Sequence, residues 1–166
     1  MGRVTVLWIT GPRAVGKSTV GWEVFTRLFA HTRTAYVDLA QITFAAPPLD
    51  VAAKGRRLDA VRRVYREAGA RHLVVTGELE NVPPEAKVCS LFAGPDELVA
   101  RLLLRGAGKG PAIPGDDLRG LPEEDLRRLA VPTVVPDADL VVDTGGREVG
   151  EIADEILDCF FPDLGA

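Results

Sequence analysis

The sequence is poor in the residues that staple or metallate small proteins: 166 residues include two cysteines, two histidines and one methionine. Cys89 and Cys159 lie far apart in the chain, and with His31 and His72 they complete neither a disulfide framework nor a zinc site. Both cysteines are therefore expected as small buried apolar residues in a reducing, cytoplasmic setting. Long hydrophobic runs are also missing. The apolar stretch Val4-Thr5-Val6-Leu7-Trp8-Ile9 is the length of a core strand, too short for a membrane span and unlike a signal peptide. Nor is there a strong excess of either charge. A net charge of −4 lacks the basic footprint of a protein that binds a long polyanion, so nucleic acid and membrane are not expected as partners. With 46% hydrophobic and 27% charged residues, the length suits one globular domain, residues 1–166, that folds without staples. Oligomeric state is not readable from the sequence.

What the chain does have is Gly11-Pro12-Arg13-Ala14-Val15-Gly16-Lys17-Ser18, directly after that apolar strand. It fits the phosphate-binding pattern G-x-x-x-x-G-K-[ST] at every fixed position. The two glycines let successive N–H groups turn inward toward phosphate oxygens at a helix N-terminus, where the dipole favours anions. Lys17 is placed to reach the β and γ phosphates, and Ser18 to offer a hydroxyl to Mg²⁺, a hard cation that takes few protein ligands. Arg13, Ala14, Val15 and Thr19 complete the nucleotide-binding candidates, Thr19 also standing in the helix. A dinucleotide fingerprint is excluded, because the glycines sit five apart and are followed by Lys-Ser.

Beyond the loop, Val20, Val24, Phe25 and Leu28 mark the buried stripe of a helix over about 17–30. Residues 34–38 predict a strand ending in Asp38, and Phe44-Ala45-Ala46-Pro47-Pro48 an irregular loop. A helix is expected over about 56–68, with Leu58, Val61, Val64, Tyr65 and Ala68 inside. Strands follow at 72–76 and 87–92, then a helix opened by Pro95 with Leu98, Leu102 and Leu103 buried. The run Arg105-Gly106-Ala107-Gly108-Lys109-Gly110-Pro111 is too rich in glycine for regular structure and is expected as a mobile lid, about 105–120. A short helix over 122–130, a strand at 140–142 and a final helix with Val149, Ile152, Ala153, Ile156, Leu157 and Phe160 inside complete the pattern. Alternating strands and helices predict an α/β fold with a parallel sheet covered on both faces. Ligands collect at the carboxyl edge of such sheets. That edge gathers the phosphate loop, Asp38, Gly77-Glu78, the turn after Phe92 and Asp143-Thr144-Gly145-Gly146.

This order of parts resembles the small P-loop kinases of the shikimate kinase, gluconate kinase and nucleoside monophosphate kinase group. The resemblance implies a three-layer P-loop NTPase fold with a five-stranded sheet of order 2-3-1-4-5, ATP and Mg²⁺ as cofactors, and phosphoryl transfer to a hydroxyl of a small-molecule acceptor. By the same likeness Asp38 corresponds to the carboxylate near Mg²⁺ and the acceptor hydroxyl. The group often carries Asp-x-Asp there; this chain has Ala40 at the second position, leaving Asp38 to serve both duties or Glu78 to substitute. Arg101, Arg105, Lys109 and Arg119 fall in or near the lid-like segment, whose arginines neutralise charge on the transferring phosphoryl group. Arg105, at the hinge, is the first choice and Arg119 the second; Arg101 can equally be a residue whose stem covers the core with its head in water. Gly145 and Arg147 lie in the loop resembling the one that packs on adenine. Arg56 and Arg57 either hold an anionic acceptor or form a solvated helix face. The alternative to a kinase is a nucleotide-binding regulatory module or slow NTPase with no acceptor, favoured by Ala40; a GTPase form lacks an Asn-Lys-x-Asp motif.

Overall fold

The structure, a computed structural model, describes residues 3–110 and 115–164, so Pro111 and the part of the expected lid over 111–114 lie outside the described residues. Five strands, β1 (Thr5–Thr10), β2 (Thr34–Asp38), β3 (His72–Thr76), β4 (Lys87–Phe92) and β5 (Leu140–Asp143), form one sheet in the order β2-β3-β1-β4-β5. All four pairings are parallel. This is the α/β architecture that the alternating pattern predicts and the strand order that the resemblance implies.

Strand β1 shows why the sheet is covered on both faces. Its side chains alternate, so Leu7 and Ile9 join one core cluster while Val6 and Trp8 join the other, each at most 1% exposed. Helices α1 (Lys17–Phe29) and α6 (Val149–Phe160) close the first face through Val20, Val24, Leu28, Ile152 and Ile156. Helix α3 (Val51–Glu67) closes the second through Leu58. A third cluster, Leu102, Leu118 and Leu126, joins α4 (Pro95–Gly106) to α5 (Glu123–Leu129) and to the end of the lid-like segment.

The helix expected from about residue 56 starts five residues earlier, at Val51, and a short helix α2 (Leu39–Ile42) precedes it. Asp50 caps α3 by accepting a hydrogen bond from Ala53 N at 2.7 Å. Gly55 weakens the helical signal there, and Asn81 packs over it: an added Cβ would lie 2.6 Å from Asn81 Oδ1. Val64, expected inside, is 60% exposed. Cys89 is buried as expected, whereas Cys159 is exposed near the end of α6. Among the described residues no helix is long and apolar enough to cross a membrane.

Candidate functional site

The turn from β1 to α1 is built by two glycines in different ways. Gly16 caps α1 at φ 100°, a left-handed conformation that side chains rarely tolerate. Gly11 is needed for space, since a Cβ would meet the Leu91 carbonyl oxygen at 2.7 Å and Val15 Cγ1 at 2.9 Å. Ala14 also has positive φ, 63°. The first turn of α1 has no side-chain cap and no acidic residue, so its N–H groups and dipole face outward unneutralised. Lys17 Nζ donates to the carbonyls of Gly11 at 2.8 Å and Pro12 at 3.0 Å. Burial holds its pKa below the ordinary lysine value, with Glu78 and Asp38 opposing that effect and Arg13 and Arg105 adding to it.

Ser18 and Asp38 stand together, Ser18 Oγ donating to Asp38 Oδ2 at 2.6 Å. The other carboxylate oxygen, Oδ1, accepts from Ala40 N at 3.0 Å and caps α2, so position 40 contributes its backbone. A hydroxyl and a carboxylate in contact beside a lysine form a donor set suited to a hard cation such as Mg²⁺. In front of them opens a cavity of about 470 Å³ whose wall begins at Lys17, Ser18 and Asp38 and ends on Glu78, Glu80 and Asn81. Trp8 Nε1 fixes the far rim by donating to the Glu78 carbonyl at 3.1 Å. Asn81 Nδ2 ties that rim to α3 through Val51 O at 3.0 Å. Arg56 and Arg57 are exposed and do not line the cavity; α3 contributes Lys54 and Leu58 instead.

The arginines near the lid-like segment have separate attachments. Arg101 is a brace whose head is not in water: its guanidinium donates to Val15 O at 3.0 Å, Thr144 Oγ1 at 3.1 Å and Thr144 O at 3.2 Å, and it pairs with Glu97 at 2.9 Å. It joins the phosphate loop to the loop after β5, a role that its sequence spacing does not reveal. Arg105 pairs at 3.0 Å with Asp116, whose side chain is 7% exposed, while its buried Nε has no partner. Arg119 bonds to the carbonyls of Gly108 and Gly110. Arg13 reaches across to Asp117 at 2.8 Å. Gly115 lies against the Phe44 ring on the cavity wall, where an added Cβ would be 2.0 Å from Cζ. The segment after position 114 therefore touches both the phosphate loop and the cavity. Gly145 N donates to Asp143 Oδ1 at 2.9 Å, and Arg147 is tied to Asp143 O at 3.1 Å and Glu155 at 2.7 Å.

No protein-family model matches the sequence, and no curated protein is similar to it. Solved structures do match the fold. A sugar kinase from Janibacter sp. superimposes with a TM-score of 0.63 at 13% identity, covering 98% of each chain. The APS kinase of Mycobacterium tuberculosis, in complex with AMPPNP and APS, gives 0.57 at 16% identity over 96% of this chain and 98% of its own. Shikimate kinase from Bacteroides thetaiotaomicron gives 0.57 at 16% identity over 93% and 97%. With its phosphate loop, its strand order and these neighbours, the chain has the P-loop kinase fold.

Proposed function

We propose that this protein is an ATP- and Mg²⁺-dependent kinase that transfers the γ-phosphoryl group to a hydroxyl of a small-molecule acceptor. The observation that carries the reading is continuity: the cavity opens directly on Lys17, Ser18 and Asp38, so an occupant lies in front of the place where terminal phosphates would be held. A loop that binds phosphate as a signal needs no such cavity.

In this reading the amides of residues 11 to 18 and the Lys17 ammonium hold the β and γ phosphates, with Arg13, Ala14, Val15 and Thr19 completing the cradle. Ser18 and Asp38 would hold Mg²⁺, which supplies charge neutralisation on the phosphates when bound. Asp38 orients the acceptor hydroxyl and takes its proton. Arg105 is assigned to the transferring group, because it stands at the end of α4 with a buried Nε that has no partner. Arg119, tied to the carbonyls of Gly108 and Gly110, is the second candidate for that role. Gly145 and Arg147 shape the base-binding loop that Arg101 braces. Ala40 does not tip the balance to a regulatory module, because Glu78 and Glu80 bring further carboxylates to the same cavity.

The test is ADP release in magnesium buffer with and without candidate acceptors, beside calorimetric ATP binding. Acceptor-dependent ADP formation that disappears in Lys17→Ala, with that variant still folded, is the expected result. ATP binding without acceptor-dependent turnover across a broad metabolite panel defeats the proposal.

A further inference from the structure

The cavity in front of Asp38 has a one-sided chemistry. Its polar lining carries three carboxylates, Asp38, Glu78 and Glu80, against Lys17 and Lys54. Both cations already have partners. Lys17 is turned into the phosphate loop, and Lys54 Nζ is paired with Glu80 Oε2 at 3.3 Å. No arginine or histidine is among the described lining residues, and Arg56 and Arg57 lie on the exposed side of α3. The rest of the wall is apolar, with Leu39, Phe44, Pro48, Leu49 and Leu58 supplying its larger side chains. Its volume is within the range of pockets that enclose drug-sized ligands.

Resting on the kinase reading above, we infer that the acceptor is an alcohol with an apolar body and no anionic group, uncharged or bearing an amine. A carboxylate, sulfate or phosphate on the acceptor would enter a site whose lining has one more carboxylate than cations and whose two lysines are already engaged, whereas an apolar body fills the wall and an amine finds the Glu78 carboxylate. The chemistry balances without another reactant than ATP. The acceptor oxygen forms a bond to the γ phosphorus as the bond from that phosphorus to the β–γ bridging oxygen breaks. The electron pair leaves with ADP, and the hydroxyl proton passes to Asp38 and then to water.

The experiment follows label from γ-labelled ATP into product, using the full chain with Mg²⁺ and two arms of acceptors. One arm holds nucleosides and hydroxyl-bearing antibiotics without acid groups; the other holds shikimate, gluconate and APS. Labelled product is expected from the first arm, with kcat/KM at least about a hundredfold above any member of the second. A best acceptor from the second arm overturns the inference and leaves the kinase reading standing. No product in either arm, with ATP bound, overturns the kinase reading and this inference with it. As a check on cause, Glu80→Lys, at an exposed position, frees Lys54 and adds a cation. Product from the acids should then rise tenfold or more; an unchanged yield overturns the charge explanation.

Discussion

Replacing Arg101 by Met tests whether the phosphate loop is held in shape from behind. Methionine keeps much of the arginine stem's packing but removes the guanidinium, whose side chain is only 26% exposed. Three hydrogen bonds go with it, to Val15 O, Thr144 Oγ1 and Thr144 O. Thr144 Oγ1 still donates to Phe92 O, and Thr144 O retains Arg147 N at 3.4 Å. Val15, at 2% exposure, is left with its carbonyl facing a void. Hydrogen bonds to a charged group contribute about 1.5–3 kcal/mol, and a buried unsatisfied acceptor costs about 1–3 kcal/mol. The half-exposed Glu97 pair adds less than about 1 kcal/mol. Since these overlap, the expected loss of stability is about 2–4 kcal/mol, a Tm lower by roughly 5–15 °C. The freed loop must also be ordered when nucleotide binds, so the ATP Kd should rise about tenfold. Urea unfolding at constant m gives the first number and calorimetric titration the second. Arg101→Lys, which keeps the charge and loses the fork, should fall between. A Met variant whose midpoint and Kd both stay within about 0.5 kcal/mol of the parent refutes the brace.

Gly11→Ala should weaken ATP binding at least tenfold and cost about 1–3 kcal/mol in denaturant unfolding, because its Cβ would press on the Leu91 carbonyl rather than on a yielding side chain. Asp38→Asn keeps an acceptor for Ala40 N but loses the base, so kcat should drop about 10²–10⁴-fold in the coupled ADP assay with stability within about 1 kcal/mol; equal turnover would remove Asp38 from the mechanism. Burial pushes the Cys89 thiol from its ordinary value near 9.0 up to about 12. The unfolded chain therefore ionises first and binds fewer protons, so stability should fall as pH rises above about 9, by up to about 1.4 kcal/mol per pH unit. Cys89→Ala should flatten that slope in unfolding curves taken between pH 8.5 and about 11. Burial lowers the Lys17 pKa, so ATP affinity should decline with rising pH sooner than an ordinary lysine would allow, and titrations of Lys17→Met should lack that decline.

The strands and the phosphate loop were legible because their signals are local. The continuous apolar run of β1, buried on both faces, and a four-point loop pattern depend on neighbours a few residues away. The start of α3 is not legible because Gly55 and the nearby Pro47-Pro48 argue against a helix, whereas Asn81, which packs over Gly55 and bonds to Val51 O, is a neighbour only in the fold. The helical spacing places Val64 in the same stripe as Leu58, Val61 and Tyr65, but only those three pack on the core and Val64 is left exposed at its margin. Arg105 and Arg119 could be named as cations near the site, but their attachments to Asp116, Gly108 and Gly110 could not.

From residue order alone come the phosphate cradle, the alternation of strand and helix, and a carboxylate at the end of the second strand. Each follows from chain geometry over a turn or two of structure. Tertiary folding decided the rest. It set Arg101 beneath Val15, 86 residues away in sequence, chose Lys54 over Arg56 and Arg57 for the cavity wall, and laid Gly115 on Phe44. Contacts of that kind depend on how helices settle on a sheet, where a rotation of one residue, about 100° on a helix, exchanges a lining side chain for a solvated one.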